Sequence, residues 1–301
     1  MAPNQVACDP FDDLRKTRQV VPTGSGQFVY SGDFLILFEA LDVVLKEFCL
    51  TKGAQPQLYP TLMKTSDLAI SGYFSSFPHN AIFAGPCKFD YDALKRVAEI
   101  TPEESSQLAT CVDSTEYTLA PTVCYHCFSA LSGTKVESEN FTALNKCHRN
   151  EVSEVNSLER LKTYWMRELI LFGSDTKVQA QLSDTLEFTT ELFDRMGIGY
   201  QVCRASDPFF ADYTNKGVYQ NFLNLKQELL LPIFDNKSLA VASFNNHQGS
   251  LTNKFGISSN ASVNYSGCIG WGYERIIYGL MCQLGSNLAD WSKQARQTLQ
   301  L

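Results

Sequence analysis

The spacing of apolar side chains predicts helices at three places in the chain. Residues 32–50 and 176–196 repeat apolar positions as on the buried face of an amphipathic helix, and Gly197 and Gly199 are expected to end the second of these helices. A shorter helix is expected from Asp92 to Glu99. We interpret the helix over residues 176–196 as a structural element.

Most of the other patterned segments predict strands. They are Gln55–Met63, Leu119–Ala130, Tyr200–Arg204, Asn221–Ile233 and Ser238–Asn246. Pro60 cannot donate a ladder hydrogen bond, so it marks its segment as an edge strand or an interface. No repeat, low-complexity tract or linker interrupts the chain, which predicts one domain over residues 1–301 with residues 1–30 as a lead-in.

The stretch from Asn145 to Gly173 predicts two strands joined by a long polar loop. Arg149 and Glu151 are two residues apart, so in a strand both side chains lie on one face. A cation and a carboxylate there are able to bind one ligand together, although a solvated surface pair is the commoner explanation of this pattern alone. Tyr164, Met166 and Glu168 are likewise expected to share one face of the second strand.

Near the C-terminus, residues 266–280 predict a strand that runs directly into a helix. Gly267, Gly270 and Gly272 let a backbone approach a ligand closely, and Arg275 lies in the first turn of the helix, which suits a phosphate. The spacing matches neither the P-loop nor the dinucleotide-binding pattern. The segment is therefore weak evidence for a phosphate site when taken alone.

Composition narrows the classes of protein that remain. The chain has 301 residues, of which 44% are hydrophobic and 19% charged, so it is long enough to bury a full core. It has no apolar run of signal-peptide or membrane-span length, which makes the cytoplasm the expected location. Its net charge is −7 and its pI about 5.2, so nothing general favours a long nucleic acid as partner.

The ten cysteines are scattered through a chain without secretory features, which favours reduced thiols. Cys124 and Cys127 form a C-x-x-C pair, with Cys147 and His148 downstream, so a four-ligand zinc site and a redox pair are both open. A strand at residues 119–130 would place the paired cysteines on opposite faces and argues against both. Core packing is the commonest explanation for any single cysteine.

Taken together, these segments resemble the three motifs of class II aminoacyl-tRNA synthetases over residues 30–285: a helix and a strand with Pro60, an R-x-E strand-loop-strand, and a final G-x-G-x-E-R. The resemblance implies an α+β fold with an antiparallel sheet flanked by helices. HRNE, Arg160 and MRE look most like the zinc-dependent archaeal seryl-tRNA synthetases. Other segments look like the amino acid:[carrier protein] ligases, truncated homologues of those synthetases: PTGSGQFVYSG, APTVCYH, ASDPFF, LKQELLLPI, SFNNHQ and GCIGWGYER.

The resemblance implies an ATP site. Arg149 matches the arginine that binds the α-phosphate and the substrate carboxylate, and Arg275 matches the arginine that covers adenine and meets the γ-phosphate. Glu151 matches the carboxylate that binds the adenine amino group, Tyr164 the ring on which adenine stacks, and Arg160 the loop arginine that contacts ATP. Mg²⁺ is expected with ATP. The usual acid is missing from Ala240–Ser243, and Glu228 is the substitute expected to bind magnesium.

The resemblance also implies one Zn²⁺ per chain. Cys124, Glu168 and Cys268 match the three ligands that hold this metal at the amino-acid pocket, which leaves a fourth position for the substrate amine. Glu168 and Asp207 are expected to bind the substrate. The other cysteines without a matching role are expected in the core; these are Cys127, Cys147, Cys203 and Cys282.

The function implied is ATP-dependent activation of a small amino acid, glycine or alanine, and its transfer to the phosphopantetheine thiol of a carrier protein. Only residues 1–30 precede the first catalytic helix, which points away from tRNA as the acceptor. A homodimer through the first motif is expected, without a membrane partner, and carrier docking is expected near Lys216–Lys226. The alternatives are tRNA aminoacylation and a non-catalytic paralogue that binds ATP or an amino acid.

Overall fold

A computed structural model of the chain describes residues 9–151, 157–205, 210, 223, 225–260 and 264–301. The strands are β1 (Val20–Gly24), β2 (Gln27–Tyr30), β3 (Ala54–Pro56), β4 (Leu62–Lys64), β5 (Phe83–Ala84), β6 (Tyr117–Leu119), β7 (Asn140–His148), β8 (Thr163–Gly173), β9 (Gln201–Arg204), β10 (Lys226–Pro232), β11 (Ser238–Gln248) and β12 (Tyr265–Gly272). The α-helices are α1 (Phe11–Lys16), α2 (Gly32–Thr51), α3 (Thr65–Ser71), α4 (Tyr73–Ser76), α5 (Tyr91–Glu99), α6 (Cys124–Ala130), α7 (Asp175–Met196), α8 (Ser250–Lys254), α9 (Tyr273–Leu284) and α10 (Lys293–Thr298).

A seven-stranded sheet with the order β3-β7-β8-β12-β11-β10-β9 forms the centre of the fold. All its neighbours pair antiparallel except β3, which lies parallel to β7 at one edge. The strands β8, β12 and β11 are therefore internal. Because each of these strands is paired on both sides, other parts of the chain can pack only against the two faces of the sheet.

One face of this sheet packs against α2, α7 and α9 and forms the main core. Leu169, Leu171, Ile269 and Trp271 alternate along β8 and β12 and are fully buried there. The indole Nε1 of Trp271 donates to Thr189 Oγ1 of α7 at 3.2 Å, which satisfies the one polar atom that this ring buries. Side-chain alternation leaves the other face of the same strands free for the site.

A buried ion pair joins the sheet to two of these helices. Arg167 of β8 donates to Asp42 Oδ1 of α2 through Nε and Nη2, at 2.8 and 2.6 Å. The hydroxyl of Tyr273 in α9 donates to the same oxygen at 2.8 Å. Removing one partner of such a pair is costly because the charge of the other partner is then left buried without a counter-charge.

A small three-stranded sheet with the order β4-β6-β5 lies beside the main sheet. With α3 and α4 it encloses a separate apolar cluster of Met63, Leu68, Tyr73 and Ala120. Because α4 also borders the site, this unit forms one of its walls.

The structure confirms the helices expected over residues 32–50, 92–99 and 176–196, and the antiparallel sheet flanked by helices. The expected strand through Pro60 is wrong, since β3 ends at Pro56 and Pro60 lies in the connection to β4. There the Pro60 carbonyl accepts a hydrogen bond from Asn145 Nδ2 at 3.3 Å. The expected position at a sheet edge is confirmed for β3, which is the outermost strand beside β7.

Two further expectations about local structure are wrong. The segment 119–130 is not a strand, because α6 begins at Cys124. Arg149 and Glu151 follow β7 rather than lying in it, since that strand ends at His148. Of the cysteines expected in the core, Cys203 is exposed on the edge strand β9, whereas Cys127, Cys147 and Cys282 are buried. Within the described ranges, no helix is both long and apolar enough to cross a lipid bilayer.

Candidate active site

The free face of the main sheet carries the candidate site. Tyr164, Met166 and Glu168 alternate on this face of β8. Across the β8–β12 ladder Gly270 lies opposite Glu168, and across the β12–β11 ladder Asn245 lies opposite Cys268. Gly270 leaves room for the Met166 side chain, because a Cβ there would lie 2.8 Å from the Met166 sulfur and this flexible side chain would have to move.

The first of two adjoining cavities, which we call the Tyr164 cavity, has a volume of about 140 Å³. Among the residues that line it are Arg149, Glu151, Tyr164, Glu228, Glu274 and Arg275. The guanidinium of Arg149 lies 5.5 Å from the centre of the Tyr164 ring. The Tyr164 hydroxyl donates to the Pro121 carbonyl at 3.2 Å, which fixes the plane of the ring. An aromatic ring in a cavity that also contains cations suits a nucleotide.

Arg149 and Arg275 both line this cavity. Arg275 donates to the Ala240 carbonyl at 3.3 Å, and its pKa is lowered first by burial and then by the charge of Arg149. An anion bound near both guanidinium groups would reduce the repulsion between them. The Tyr164 cavity is therefore suited to a polyphosphate.

Two carboxylates at the cavity have cationic partners. Glu151 lies 3.9 Å from Arg160, whose side chain is 65% exposed, so this ion pair is loose. Glu228 accepts from Lys226 Nζ at 2.9 Å, and both of these side chains are largely buried on β10. Arg160 does not line either cavity as far as the described residues define them.

The second cavity, which we call the Cys268 cavity, has a volume of about 460 Å³ and continues from the first. Both cavities are lined by Arg149, Met166, Lys226, Ser243 and Gly270. Arg149 is therefore placed to contact two ligands, or two parts of one ligand. The same cavity is lined by Cys124, Glu168 and Cys268.

These three side chains are buried together, and their donor atoms all lie within 4.8 Å of one another. Glu168 Oε1 accepts from the Val123 N–H at 3.1 Å and from the Thr122 hydroxyl, while Oε2 accepts from the Cys124 N–H at 3.1 Å. A carboxylate oxygen has two lone pairs, so Oε2 keeps one for a metal ion. Glu168 also satisfies N–H groups at the start of α6, which explains why a helix begins there.

The environment of the three groups favours metal binding. Burial, and then the charge of Cys268, raises the pKa of Glu168 to about 8. The hydrogen bond between the thiols raises the pKa of Cys124 and lowers that of Cys268, where His247 and Asn245 also stabilise the thiolate. Two sulfurs and a carboxylate are a donor set that suits zinc, and three protein ligands leave a position for a substrate atom.

The structure therefore brings together Arg149, Glu151, Tyr164, Glu228 and Arg275 in one cavity, and Cys124, Glu168 and Cys268 in the other. Cys127 and Cys147 do not join the metal cluster found among the described residues. Asp207 lies outside the described residues, as does most of Lys216–Lys226. The assignment of Lys226 to a docking patch is wrong, because this residue is 8% exposed and lines both cavities.

Sequence reasoning missed several groups at the site. His247 Nε2 lies 3.4 Å from the Cys268 sulfur, and its Nδ1 lies 3.4 Å from Ser266 Oγ. Asn245 Nδ2 donates to the same sulfur at 3.7 Å. Period-two alternation along β11 places residues 245 and 247 on the same face, which is the signal that identifies them once Cys268 is assigned.

The fold and the arrangement of the site define a synthetase catalytic core. Residues 110–281 match the family described as tRNA synthetase class II core domain (G, H, P, S and T). The chain belongs to this family.

Curated relatives fall into two named groups. The chain is 25% identical over 284 residues to the type-2 serine–tRNA ligase of Methanococcus maripaludis, which covers 89% of this chain and 55% of the relative. It is 26% identical over 256 residues to amino acid–[acyl-carrier-protein] ligase 1 of Bradyrhizobium diazoefficiens, which covers 83% of this chain and 77% of that ligase. The chain thus spans about half the length of the serine–tRNA ligases that it matches.

Solved structures agree on the fold. The seryl-tRNA synthetase of M. kandleri, crystallised with A. aeolicus tRNASec, superimposes with a TM-score of 0.85 at 20% identity, over 99% of this chain and 62% of that one. The cytoplasmic serine–tRNA ligase of Naegleria fowleri, in complex with AMP, gives 0.74 at 13% identity, over 97% and 59%.

Proposed function

We propose that this chain uses ATP to activate a small amino acid, glycine or alanine, as an aminoacyl-adenylate, and transfers the acyl group to the phosphopantetheine thiol of a carrier protein. The observation that carries the proposal is the pair of adjoining cavities that share Arg149. One has an aromatic face and cations for a nucleotide, and the other has a metal-binding trio for an amine. Adenylate formation requires both substrates to meet at one cation.

In this proposal the nucleotide lies in the Tyr164 cavity. Adenine stacks on Tyr164, with Arg275 over its other face and towards the γ-phosphate. Glu151 accepts from the adenine amino group, and Arg160 contacts ATP from the exposed loop. Glu228 would hold Mg²⁺ in place of its present contact with Lys226. This arrangement is supported by the cavity that Glu151, Tyr164, Glu228 and Arg275 line together.

The amino acid lies in the Cys268 cavity. Cys124, Glu168 and Cys268 would hold Zn²⁺, which would supply a Lewis-acid site for the neutral α-amine. Arg149 then pairs with the carboxylate, and Asp207 is a further substrate contact in this proposal. An amine fixed at one end and a carboxylate at the other set the direction of the substrate.

The chain contributes positioning and charge to the reaction. A carboxylate oxygen of the amino acid attacks the α-phosphorus, the bond to the bridging oxygen breaks, and pyrophosphate leaves with that electron pair. Arg149 and Arg275 stabilise the charge that develops on the phosphate oxygens. A thiolate then attacks the acyl carbon, the bond to the phosphate oxygen breaks, and AMP leaves.

The carrier protein is proposed as acceptor because the chain spans a larger share of the named carrier-protein ligase than of the serine–tRNA ligases, at similar identity. The tRNA alternative is favoured by the number of relatives with that name. The two acceptors differ in chemistry, since one yields a thioester and the other an ester.

We also propose a homodimer through α2 and the edge strand β3. The outer side of α2 exposes Ile36, Val43 and Leu50 at intervals of seven residues, which places them in one stripe along the helix. Each is between 43% and 44% exposed, and the opposite side of the helix is buried in the core. An apolar stripe on a helix next to an unpaired strand edge suits a two-fold contact.

The experiment that tests the function has two stages. Pyrophosphate exchange into ATP is measured with each of the twenty amino acids, using the wild type, Arg149→Ala and, as a control, the exposed helix variant Arg195→Ala. We expect exchange with glycine or alanine, and a loss of about 100-fold or more in Arg149→Ala alone. Exchange with no amino acid would favour the non-catalytic, ligand-binding paralogue.

The second stage identifies the acceptor. The protein is incubated with ATP, the labelled amino acid and either tRNA or a phosphopantetheinylated carrier protein. We expect label on the carrier that is released by hydroxylamine at neutral pH, as a thioester is. Label on tRNA, or on neither acceptor despite active exchange, contradicts the proposed transfer.

A further inference from the structure

Tyr73 is a buried residue at the wall of the Cys268 cavity. It begins α4, directly after Gly72, whose φ of +84° turns the chain into the helix. Its ring packs 5.5 Å from Phe77 and 6.1 Å from Tyr125, centre to centre, and the residue is 6% exposed. The apolar packing fixes the direction of the ring, and therefore of its hydroxyl.

The Tyr73 hydroxyl is buried, and among the described residues it has no hydrogen-bond partner. A buried polar atom without a partner lowers stability, so one on a residue that lines a cavity is a candidate ligand contact. The other tyrosines near the site differ in this respect. Tyr164 donates to Pro121, Tyr59 donates to Gln57, and the Tyr125 hydroxyl is not among the buried polar atoms without a partner.

The surroundings of this hydroxyl indicate what it binds. Burial raises the pKa of Tyr73 to about 12, while the charge of Arg149 acts in the opposite direction. The hydroxyl is therefore protonated at neutral pH and is available as a donor. Tyr73 and Arg149 line the same cavity, so a ligand anion paired with that arginine would lie in the space that Tyr73 borders.

The lining of the two cavities indicates which part of the ligand lies near Tyr73. Tyr73 lines the Cys268 cavity, whereas Arg149 lines both. A donor that lines the Cys268 cavity but not the Tyr164 cavity is on the amino-acid side of the ligand rather than the nucleotide side. The group there that carries acceptor oxygens is the carboxylate, which becomes the acyl carbonyl of the adenylate.

We propose that the Tyr73 hydroxyl donates a hydrogen bond to the carboxylate of the bound amino acid, and keeps this bond to the carbonyl oxygen of the adenylate. This inference rests on the proposed function. It adds a neutral donor to the cation at the reacting carboxylate, and so fixes which of its two oxygens faces the α-phosphate.

The test compares Tyr73→Phe with Tyr125→Phe as the matched control, since both remove one buried hydroxyl from the same cavity. Calorimetry measures binding of ATP, of an aminoacyl sulfamoyl-adenosine that keeps the carbonyl, and of an aminoalkyl adenylate that lacks it. We expect Tyr73→Phe to weaken binding of the carbonyl analogue by about tenfold and to leave the other two unchanged. Its apo melting temperature is expected to stay level or rise, whereas Tyr125→Phe is expected to melt lower.

Three results would overturn the proposal. The first is equal binding of the carbonyl analogue by Tyr73→Phe and the wild type. The second is equal weakening for both adenylate analogues or for ATP, which would assign Tyr73 to packing or to the nucleotide. The third is a lower apo melting temperature of Tyr73→Phe, which would show that its hydroxyl has a partner in the protein. A wild type that binds none of the three ligands instead refutes the proposed function, and this inference with it.

Discussion

Glu274 accepts hydrogen bonds from the backbone N–H of Trp165 through both carboxylate oxygens, at 3.1 and 2.9 Å. Glu274 is the second residue of α9, and Trp165 lies on β8. Their chain neighbours, Arg275 and Tyr164, line the same cavity. This buried contact therefore sets the separation of the two residues proposed to hold adenine.

The first prediction concerns this contact. Glu274→Gln keeps an acceptor for the Trp165 N–H, whereas Glu274→Leu leaves that donor unpaired at a cost of about 1–3 kcal/mol. We expect Glu274→Leu to weaken ATP binding by roughly tenfold, and Glu274→Gln to change it much less. Calorimetric titration with ATP and urea unfolding measure the two effects. Equal ATP affinity in both variants would show that the contact does not position the cavity.

The second prediction concerns pH. Burial raises the pKa of Glu274 from 4.5 to about 8, although the Trp165 N–H opposes this rise. Between these values the folded protein binds more protons than the unfolded chain, so this residue lowers the free energy of unfolding as pH rises through that window. We expect Glu274→Gln to lose this contribution. Urea unfolding from pH 5 to pH 9 should show a weaker decline for the variant than for the wild type, and parallel curves would contradict it.

The third prediction concerns the metal. We expect about one zinc ion per chain, as proposed for a site with three protein ligands. Cys124→Ser, Glu168→Ala and Cys268→Ser are expected to lose or greatly weaken it, while Cys127→Ser and Cys147→Ser retain it. Elemental analysis of the purified variants measures their zinc content and so tests this prediction. Loss of zinc in Cys127→Ser would support the C-x-x-C site instead.

The fourth prediction concerns assembly. We expect light scattering to report a dimer at micromolar concentration, and Val43→Glu to shift it towards the monomer because a charge then enters the apolar stripe. Lys46→Gln is the control, since it changes the net charge equally on an exposed position of the same helix. A monomeric wild type would refute the proposed interface, and a dimeric Val43→Glu would place it elsewhere.

Much of the fold was predictable because its elements follow local periodicity. The apolar faces of α2 and α7 are packed on the sheet as their spacing predicts. The alternation of Tyr164, Met166 and Glu168 likewise gave the site face of β8, and the motif resemblance supplied the partners on β12. These inferences need only neighbours along the chain or a known order of motifs.

The remaining features depend on contacts between distant residues. The start of α6 was missed because the acceptor for its first N–H groups is Glu168, more than forty residues away along the chain. Burial of Tyr73 and Lys226 was missed for the same reason, since other parts of the chain line the cavities with them. Periodicity cannot report a cap or a cavity wall that another part of the chain supplies.

The trio of Cys124, Glu168 and Cys268 has a consequence for folding. Its members lie on α6, β8 and β12, so they come together only when these distant segments are folded against one another. An ion that binds all three acts as a cross-link between distant parts of the chain, and it binds the unfolded chain weakly because closing such long loops costs entropy. Free zinc concentration would then set the unfolding temperature as well as the activity. A chelator would weaken the architecture before any substrate is present.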